Sequence, residues 1–341
     1  FPLVDDDWVC VHRVPRVNHP YPDLGGDKPV DAPGPKDMDA VAKAAIFVES
    51  CLGDEIDWPQ NVNRRIDTIY SAVSAWAIEQ AISDRVHCFK DKANGCDAVR
   101  ECLGMATVLA TFGGTFLCTD EGVGHGAFSD DGAASESSIW YDVWYNCPGL
   151  GLECHDNYDR YICELPREIC FTYFLPHCTE NNEPRYCGEI PHAGKSKFSM
   201  PHPSCTKAGL TCKADAETAY CAGSGPSCES KATPGISADF GQAIACTDSN
   251  TLRVCVNGYE QLVDCSAVAT GFHCIDGTRP HCGADFQCNY DRSNPLPTCN
   301  GTVLEVCNGG VRTQIDCKSL GFETCDPVLG LCGPIVTSAA P

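Results

Sequence analysis

The sequence predicts an α+β protein, an N-terminal helical domain followed by small disulfide-stapled β-hairpin repeat modules. Three observations predict it: twenty-seven cysteines in 341 residues, a recurring order of spacings among them, and a helix-periodic stretch ahead of the repeats. From Cys102 onward the cysteines fall into blocks: Cys102, Cys118, Cys147, Cys154, Cys163, Cys170; then Cys178, Cys187, Cys205, Cys212, Cys221, Cys228; then Cys246, Cys255, Cys265, Cys274, Cys282, Cys288; then Cys299, Cys307, Cys317, Cys325, Cys332 with no sixth member. The intervals Cys147–Cys154–Cys163–Cys170 and Cys205–Cys212–Cys221–Cys228 are both 7, 9 and 7. A copied cysteine frame means a copied module. Modules of roughly 35–55 residues are too small for a sufficient core. Disulfides at ~2–4 kcal/mol each make up for it, chiefly by restricting the unfolded chain.

Residues 1–36 form a Pro-rich arm that cannot be helical over any length. Within it, Trp8 to Val14 alternates like a short strand, with Trp8, Val9, Val11 and Val14 as its apolar members. Residues 37–103 read as helical. Asp37 is placed to cap a helix with Val41, Ala44, Ala45, Val48 and Leu52 on one face, ended by Gly53. A longer helix follows Pro59 with Ile66, Ile69, Val73, Trp76, Ala77 and Ala81 on one face, running to about Cys88. A loop at Asp91 to Gly95 and a short turn at Asp97 to Cys102 complete the domain.

The repeats are expected at 104–170, 171–228, 229–288 and 289–333, with a tail at 334–341. Thr302 to Cys317 reads as a hairpin about Asn308-Gly309-Gly310, and Thr251 to Cys265 as another about Asn257-Gly258. Asn and Gly tolerate the positive φ of such turns. The GVGHG run, Gly122 to Gly126, reads as a loop. The first two repeats carry insertions, Thr119 to Asn146 and Gly188 to Ser204; insertions at one fixed point lie on one face, where repeat proteins often bind partners.

Composition sets the compartment. Cysteine this dense without a single CxxC pair points to disulfides in an oxidising, secreted, extracellular or cell-surface setting rather than to bound metal. The start at Phe1 suggests a removed signal peptide. The net charge of −22 opposes nucleic-acid binding and favours solubility. The longest apolar run, Ala106 to Cys118, is too short to span a membrane. No GxSxG, HExxH, P-loop or GxGxxG motif is present, so no catalytic residue, metal ligand or cofactor is expected.

The pattern resembles cysteine-rich repeat proteins, secreted or surface-attached, of myxobacteria and related bacteria. The matching residues are His87 to Gly104 and units of the type C-x-G-x-V-L-x-V-C-x-x-G-x-x-x-x-x-D-C-x-x-x-G-F, over about residues 65–333. The resemblance implies location and build. The segments VCVNGYEQLVDC and VCNGGVRTQIDC are similar to the central hairpin of peritrophin-type chitin-binding modules, but Val254 and Val306 stand where those carry aromatic residues.

The expected function is therefore a secreted structural subunit of an extracellular filament or surface layer, a homo-oligomer or polymer. The alternative is a carbohydrate-binding or adhesive array with glycans as partners. Trp140, Tyr141, Trp144 and Tyr145 are the densest aromatic cluster, fit for a core or a partner surface. Asn300-Gly301-Thr302 is a glycosylation sequon. The pairings Cys299–Cys317 and Cys246–Cys265 are expected from hairpin proximity. The odd cysteine count leaves one unpaired, either Cys10 or a member of the fourth block. The arm either adds as a strand to a neighbour's sheet edge or folds back on its own helical domain through a Cys10–Cys51 bridge.

Overall fold

The computed structural model describes residues 34–52, 61–71, 81–103, 175–189, 204–229, 242–277, 280–285, 287–288 and 297–333. It adds the backbone of the strands at 105–110, 117–118, 123–126, 140–146, 153–157, 160–164, 169–170 and 197–201. The arm residues Trp8, Val9, Cys10, Val11 and Val14, and the positions Gly53, Val73, Trp76 and Ala77, lie outside the described residues.

Helix α1 spans Met38–Leu52 and α2 spans Val62–Ser71. The Asp37 carboxylate accepts from the Ala40 N–H at 3.1 Å, the expected cap. Val41, Ala44, Ala45 and Val48 of the predicted apolar face are buried, but so are Ala40, Ala42, Ile46 and Phe47. A helix buried on more than one face has neighbours on more than one side. Here the fourth repeat supplies the second side, with the Phe47 and Phe322 rings 5.8 Å apart. The expected long helix does not run unbroken to Cys88. Residues 81–83 are helical, 84–85 turn, and Val86–Phe89 is a 3₁₀ turn. The short helix Asp97–Leu103 follows. Cys51–Cys96 and Cys88–Cys102 staple these helices. Cys51 is therefore not the partner of Cys10, which corrects the bridge expected for a folded-back arm.

Each repeat contains a small antiparallel sheet and then a two-stranded hairpin. In the first, β1 (Met105–Ala110), β2 (Leu117–Cys118), β3 (Val123–Gly126) and β4 (Trp140–Asn146) lie in the order β1-β4-β3-β2, and β5 (Glu153–Asn157) pairs with β6 (Arg160–Glu164). The GVGHG run is thus a strand at Val123–Gly126, not a loop, because β4 pairs with it through residues 143–146. The second repeat has β7 (Ile169–Cys170), β8 (His177–Cys178), β9 (Pro184–Glu189) and β10 (Lys197–Pro201) in the equivalent order β7-β10-β9-β8, then hairpin β11 (Thr211–Ala214) and β12 (Ala219–Ala222).

The third repeat has the sheet β13 (Gln242–Cys246), β14 (Thr251–Val256), β15 (Tyr259–Asp264) and the hairpin β16 (His273–Ile275), β17 (His281–Gly283). The fourth has β18 (Thr298–Asn300), β19 (Val303–Asn308), β20 (Val311–Asp316) and the hairpin β21 (Cys325–Asp326), β22 (Leu331–Cys332). Both hairpin turns form, at Asn257-Gly258 in the third repeat and at Gly309-Gly310 in the fourth, where Asn308 is the last residue of β19. Asn257 and Gly258 have φ of 47° and 81°, and Gly309 and Gly310 have 58° and 87°. Positive φ at both central residues suits the twist of a two-residue hairpin. Between sheet and hairpin, Asp264 and Asp316 each cap a single helical turn, with side chains accepting from Ser266 N–H and Lys318 N–H.

Candidate functional site: the disulfide frame and the joints between modules

In the three repeats with described bonds, the pairing has one order. Numbering six cysteines per unit, the third unit (Cys228, Cys246, Cys255, Cys265, Cys274, Cys282) pairs 1–3, 2–5 and 4–6: Cys228–Cys255, Cys246–Cys274, Cys265–Cys282. The fourth (Cys288, Cys299, Cys307, Cys317, Cys325, Cys332) does the same: Cys288–Cys307, Cys299–Cys325, Cys317–Cys332. In the second, Cys178–Cys212 and Cys205–Cys221 are the 2–5 and 4–6 bonds. The bonds cut across the blocks grouped by spacing alone, because each unit opens with the cysteine that spacing placed last in the block before. The fourth unit is complete, and its cysteines are all bonded. None of them is the unpaired cysteine.

The expected pairs Cys299–Cys317 and Cys246–Cys265 do not form. Cys299 is on β18 and Cys317 follows β20, with β19 between them; Cys246 on β13 and Cys265 after β15 are likewise separated by β14. Two strand spacings are roughly 9–10 Å, beyond the reach of a disulfide. The helical turn after each sheet instead directs position 4 to the last hairpin, where positions 5 and 6 sit directly opposite each other.

A second feature repeats. In the third and fourth repeats the tip of the central hairpin is the joint to the preceding module. Cys228 N–H donates to the Gly258 carbonyl at 2.9 Å, and Cys288 N–H to the Gly310 carbonyl at 3.1 Å. Gly225 and Glu260 also pair through Gly225 N–H to Glu260 O, and Glu260 N–H to Pro226 O, both at 2.8 Å. The segment entering the third unit thereby occupies one edge of β15, as β7 occupies one edge of β10. These sheet edges, expected to recruit other chains, are filled by the chain itself. Close approach demands glycine here: a Cβ on Gly223 would meet the Glu260 carbonyl at 2.3 Å, and one on Gly310 the Asp285 carbonyl at 1.9 Å.

The helices close on the later modules. Tyr70 donates to Asn308 Oδ1 at 2.6 Å, Asn308 Nδ2 to the Met38 carbonyl at 2.8 Å, and Cys307 N–H to Asn63 Oδ1 at 2.8 Å. The Tyr70 and Phe272 rings are 4.8 Å apart. Gly95 N–H donates to the Leu320 carbonyl at 2.6 Å. Lys207 of the second repeat pairs with Asp84. Lys36 makes a parallel bridge to Ala269, with Lys36 N–H donating to Val268 O at 3.1 Å and Thr270 N–H to Lys36 O at 3.0 Å. Its burial lowers the Lys36 ammonium pKa, with Asp84 opposing the shift.

The remaining expected site residues are dispersed. Trp140, Tyr141, Trp144 and Tyr145 lie along β4, which runs between β1 and β3. Asn300 is exposed at the end of β18, before a turn at Gly301, as its sequon requires for access. Val254 and Val306 are 1% and 2% exposed, so these hairpin positions offer no stacking surface to a sugar. Among the described residues no group of three or more His, Cys, Asp or Glu is placed to hold a metal ion, and no helix is long and apolar enough to cross a membrane. The joints and the β13 and β18 strands escaped the sequence reading. Only the cysteine frame, taken one step earlier, signals them.

The arrangement defines a disulfide-rich modular scaffold. No protein-family model, no curated protein and no solved structure matches the chain.

Proposed function

We propose that this chain is a secreted structural protein, a disulfide-stapled subunit of an extracellular assembly. The observation that carries the reading is the repetition of one covalent frame and one glycine-lined joint from module to module. Buried polar groups are used for holding parts together: Asn63, Tyr70 and Asn308 join helices to the fourth repeat. Disulfide density suits an oxidising extracellular setting.

Self-association runs through the N-terminal arm. Its exit is held at Lys36 on the third repeat, and the strand-like Trp8 to Val14 then adds to a free sheet edge of a neighbouring copy. Such an arm-to-neighbour contact is directional and generates rings or filaments. Electron microscopy and sedimentation of the full chain, beside a chain lacking residues 1–33, test this. Residues 34–36 stay because Lys36 is bonded to the third repeat. Filaments, rings or lattices that vanish on truncation are expected. Monomers that are retained on chitin or cell-wall glycan would overturn the reading in favour of a sugar-binding array, and unchanged assembly of the truncated chain would remove the arm from it.

A further inference from the structure

We infer that the 1–3, 2–5, 4–6 frame continues through the first two units as Cys170–Cys187, Cys118–Cys154 and Cys147–Cys163, and that the first unit lacks a 1–3 bond because alanines occupy those positions. The backbone registers carry this. In the third and fourth units, position 3 lies three residues beyond the partner of position 2: Cys246 faces Leu252 and Cys255 follows, and Cys299 faces Leu304 and Cys307 follows. Position 1 then meets the strand two residues before the partner of position 3. Cys255 faces Glu260 while Cys228 bonds to Gly258, and Cys307 faces Arg312 while Cys288 bonds to Gly310.

The second unit obeys both rules. Cys178 faces Pro184, three residues before Cys187; Cys187 faces Ser199, and Cys170 faces Lys197, two residues earlier. Cys187 is disulfide-bonded. Cys170 is the frame's partner for it.

In the first unit Cys118 faces Gly124, so position 3 falls on Ala127. In the second unit the residue before position 3, Tyr186, faces Met200, three residues beyond the Lys197 that faces Cys170; in the first unit Gly126 faces Val143, three residues beyond the Trp140 that faces Ala110. Positions 1 and 3 are therefore Ala110 and Ala127. Positions 5 and 6 are Cys154 and Cys163, directly opposite on β5 and β6 as Cys212 and Cys221 are on β11 and β12. Strand β2, which carries Cys118, packs on β5, which carries Cys154, as β8 packs on β11 across the Cys178–Cys212 bond. Cys147 precedes Cys154 by the same 7 residues that separate Cys205 from Cys212.

Each bond forms as two thiols lose two protons and two electrons to a disulfide oxidant of the secretory compartment, which is reduced to its dithiol. With these three bonds and the ten described, Cys10 is the one cysteine of the twenty-seven left over.

The test is peptide mapping of the unreduced, alkylated full chain after trypsin, a glutamate-specific protease and chymotrypsin, which cut at Glu121, Glu153, Arg160, Arg167 and Phe171 between the relevant cysteines. Linked peptides for Cys118 with Cys154, Cys147 with Cys163, and Cys170 with Cys187 are expected. A direct Cys154–Cys163 link, a Cys118–Cys147 link, or alkylation of any of the six overturns the inference. The double variant Ala110→Cys with Ala127→Cys gives a second readout: no thiol beyond wild type and a new 110–127 cross-link are expected, and two added thiols count against the frame.

Discussion

The Tyr70 hydroxyl donates to Oδ1 of Asn308 across 238 residues of sequence, at 2.6 Å and inside the protein. Burial, reinforced by the negative charges of Asp37 and Asp67, drives the Tyr70 pKa far above the ordinary phenol range. Tyr70 is thus a fixed donor, and Asn308 is left to give its amide to the Met38 carbonyl. The residue that starts a hairpin turn in the fourth repeat is in this way the socket for two helices. In the third repeat the first turn residue, Asn257, which corresponds to Gly309, donates to the Cys221 carbonyl of the preceding module at 2.7 Å. Adjacent positions at the two hairpin tips thus serve two kinds of joint.

Replacing Asn308 with Ala therefore costs more than replacing Tyr70 with Phe. Tyr70→Phe removes one hydrogen bond, about 1–2 kcal/mol including the acceptor left behind. Asn308→Ala strands both Tyr70 and the Met38 carbonyl and costs about 3 kcal/mol, again from unsatisfied buried groups. Urea denaturation with disulfides intact measures both. Equal losses would contradict the two-sided role of Asn308.

The two turn glycines make a controlled pair. Gly258 and Gly310 have φ of 81° and 87°, and the space around a Cβ is open at Gly258 but holds the Asp285 carbonyl at 1.9 Å at Gly310. Gly258→Ala carries only backbone strain, on the order of 1 kcal/mol. Gly310→Ala carries that strain plus displacement of the joint, and is expected to lower the melting temperature by at least twice as much. Comparable shifts would mean the joint yields freely.

How much of this was legible depends on the range of the signal. Local rules held where chemistry is local: Asp37 caps α1, and the Asn257-Gly258 and Gly309-Gly310 turns set the two hairpins. Proximity within one hairpin does not decide the cysteine pairing, because β14 stands between Cys246 and Cys265 and β19 between Cys299 and Cys317. The burial of α1 beyond its predicted face was invisible because the contact there, Phe322, lies in the last repeat. The joints were hidden because a turn glycine looks the same in sequence whether it faces water or a carbonyl.

Acid should weaken the helical end through Asp37. Burial alone would raise its pKa, but the Ala40 N–H and the Lys90 ammonium outweigh this and hold it below the usual aspartate value. A carboxylate with a depressed folded pKa stabilises fully above its unfolded pKa of roughly 4, and loses that contribution as pH falls through the folded value. Asp37→Ala is expected to cost about 1 kcal/mol at pH 7, the worth of a helix cap. Asp37→Asn keeps a capping oxygen without the charge. Its stability should stay flatter than wild type as pH drops below about 4, where carboxylates protonate. Parallel acid profiles for wild type and Asp37→Asn would show that Asp37 carries no pH-linked stability.

The buried ion pair between α1 and α2 makes the last prediction. Arg65 Nε donates to Glu49 Oε1 at 2.6 Å, and both side chains are 1% exposed. Removing both charges from water is expensive, and their attraction roughly repays it. Losing one partner is different, because the survivor stays desolvated without its counter-charge. Arg65→Met alone is expected to cost about 3–5 kcal/mol, whereas Arg65→Met with Glu49→Leu replaces the pair by apolar packing and should recover most of that loss. Urea midpoints of the single and double variants, with the Cys51–Cys96 and Cys88–Cys102 staples intact, measure the difference. A double variant as unstable as the single would mean that the charges themselves, rather than the filled space, hold α1 against α2.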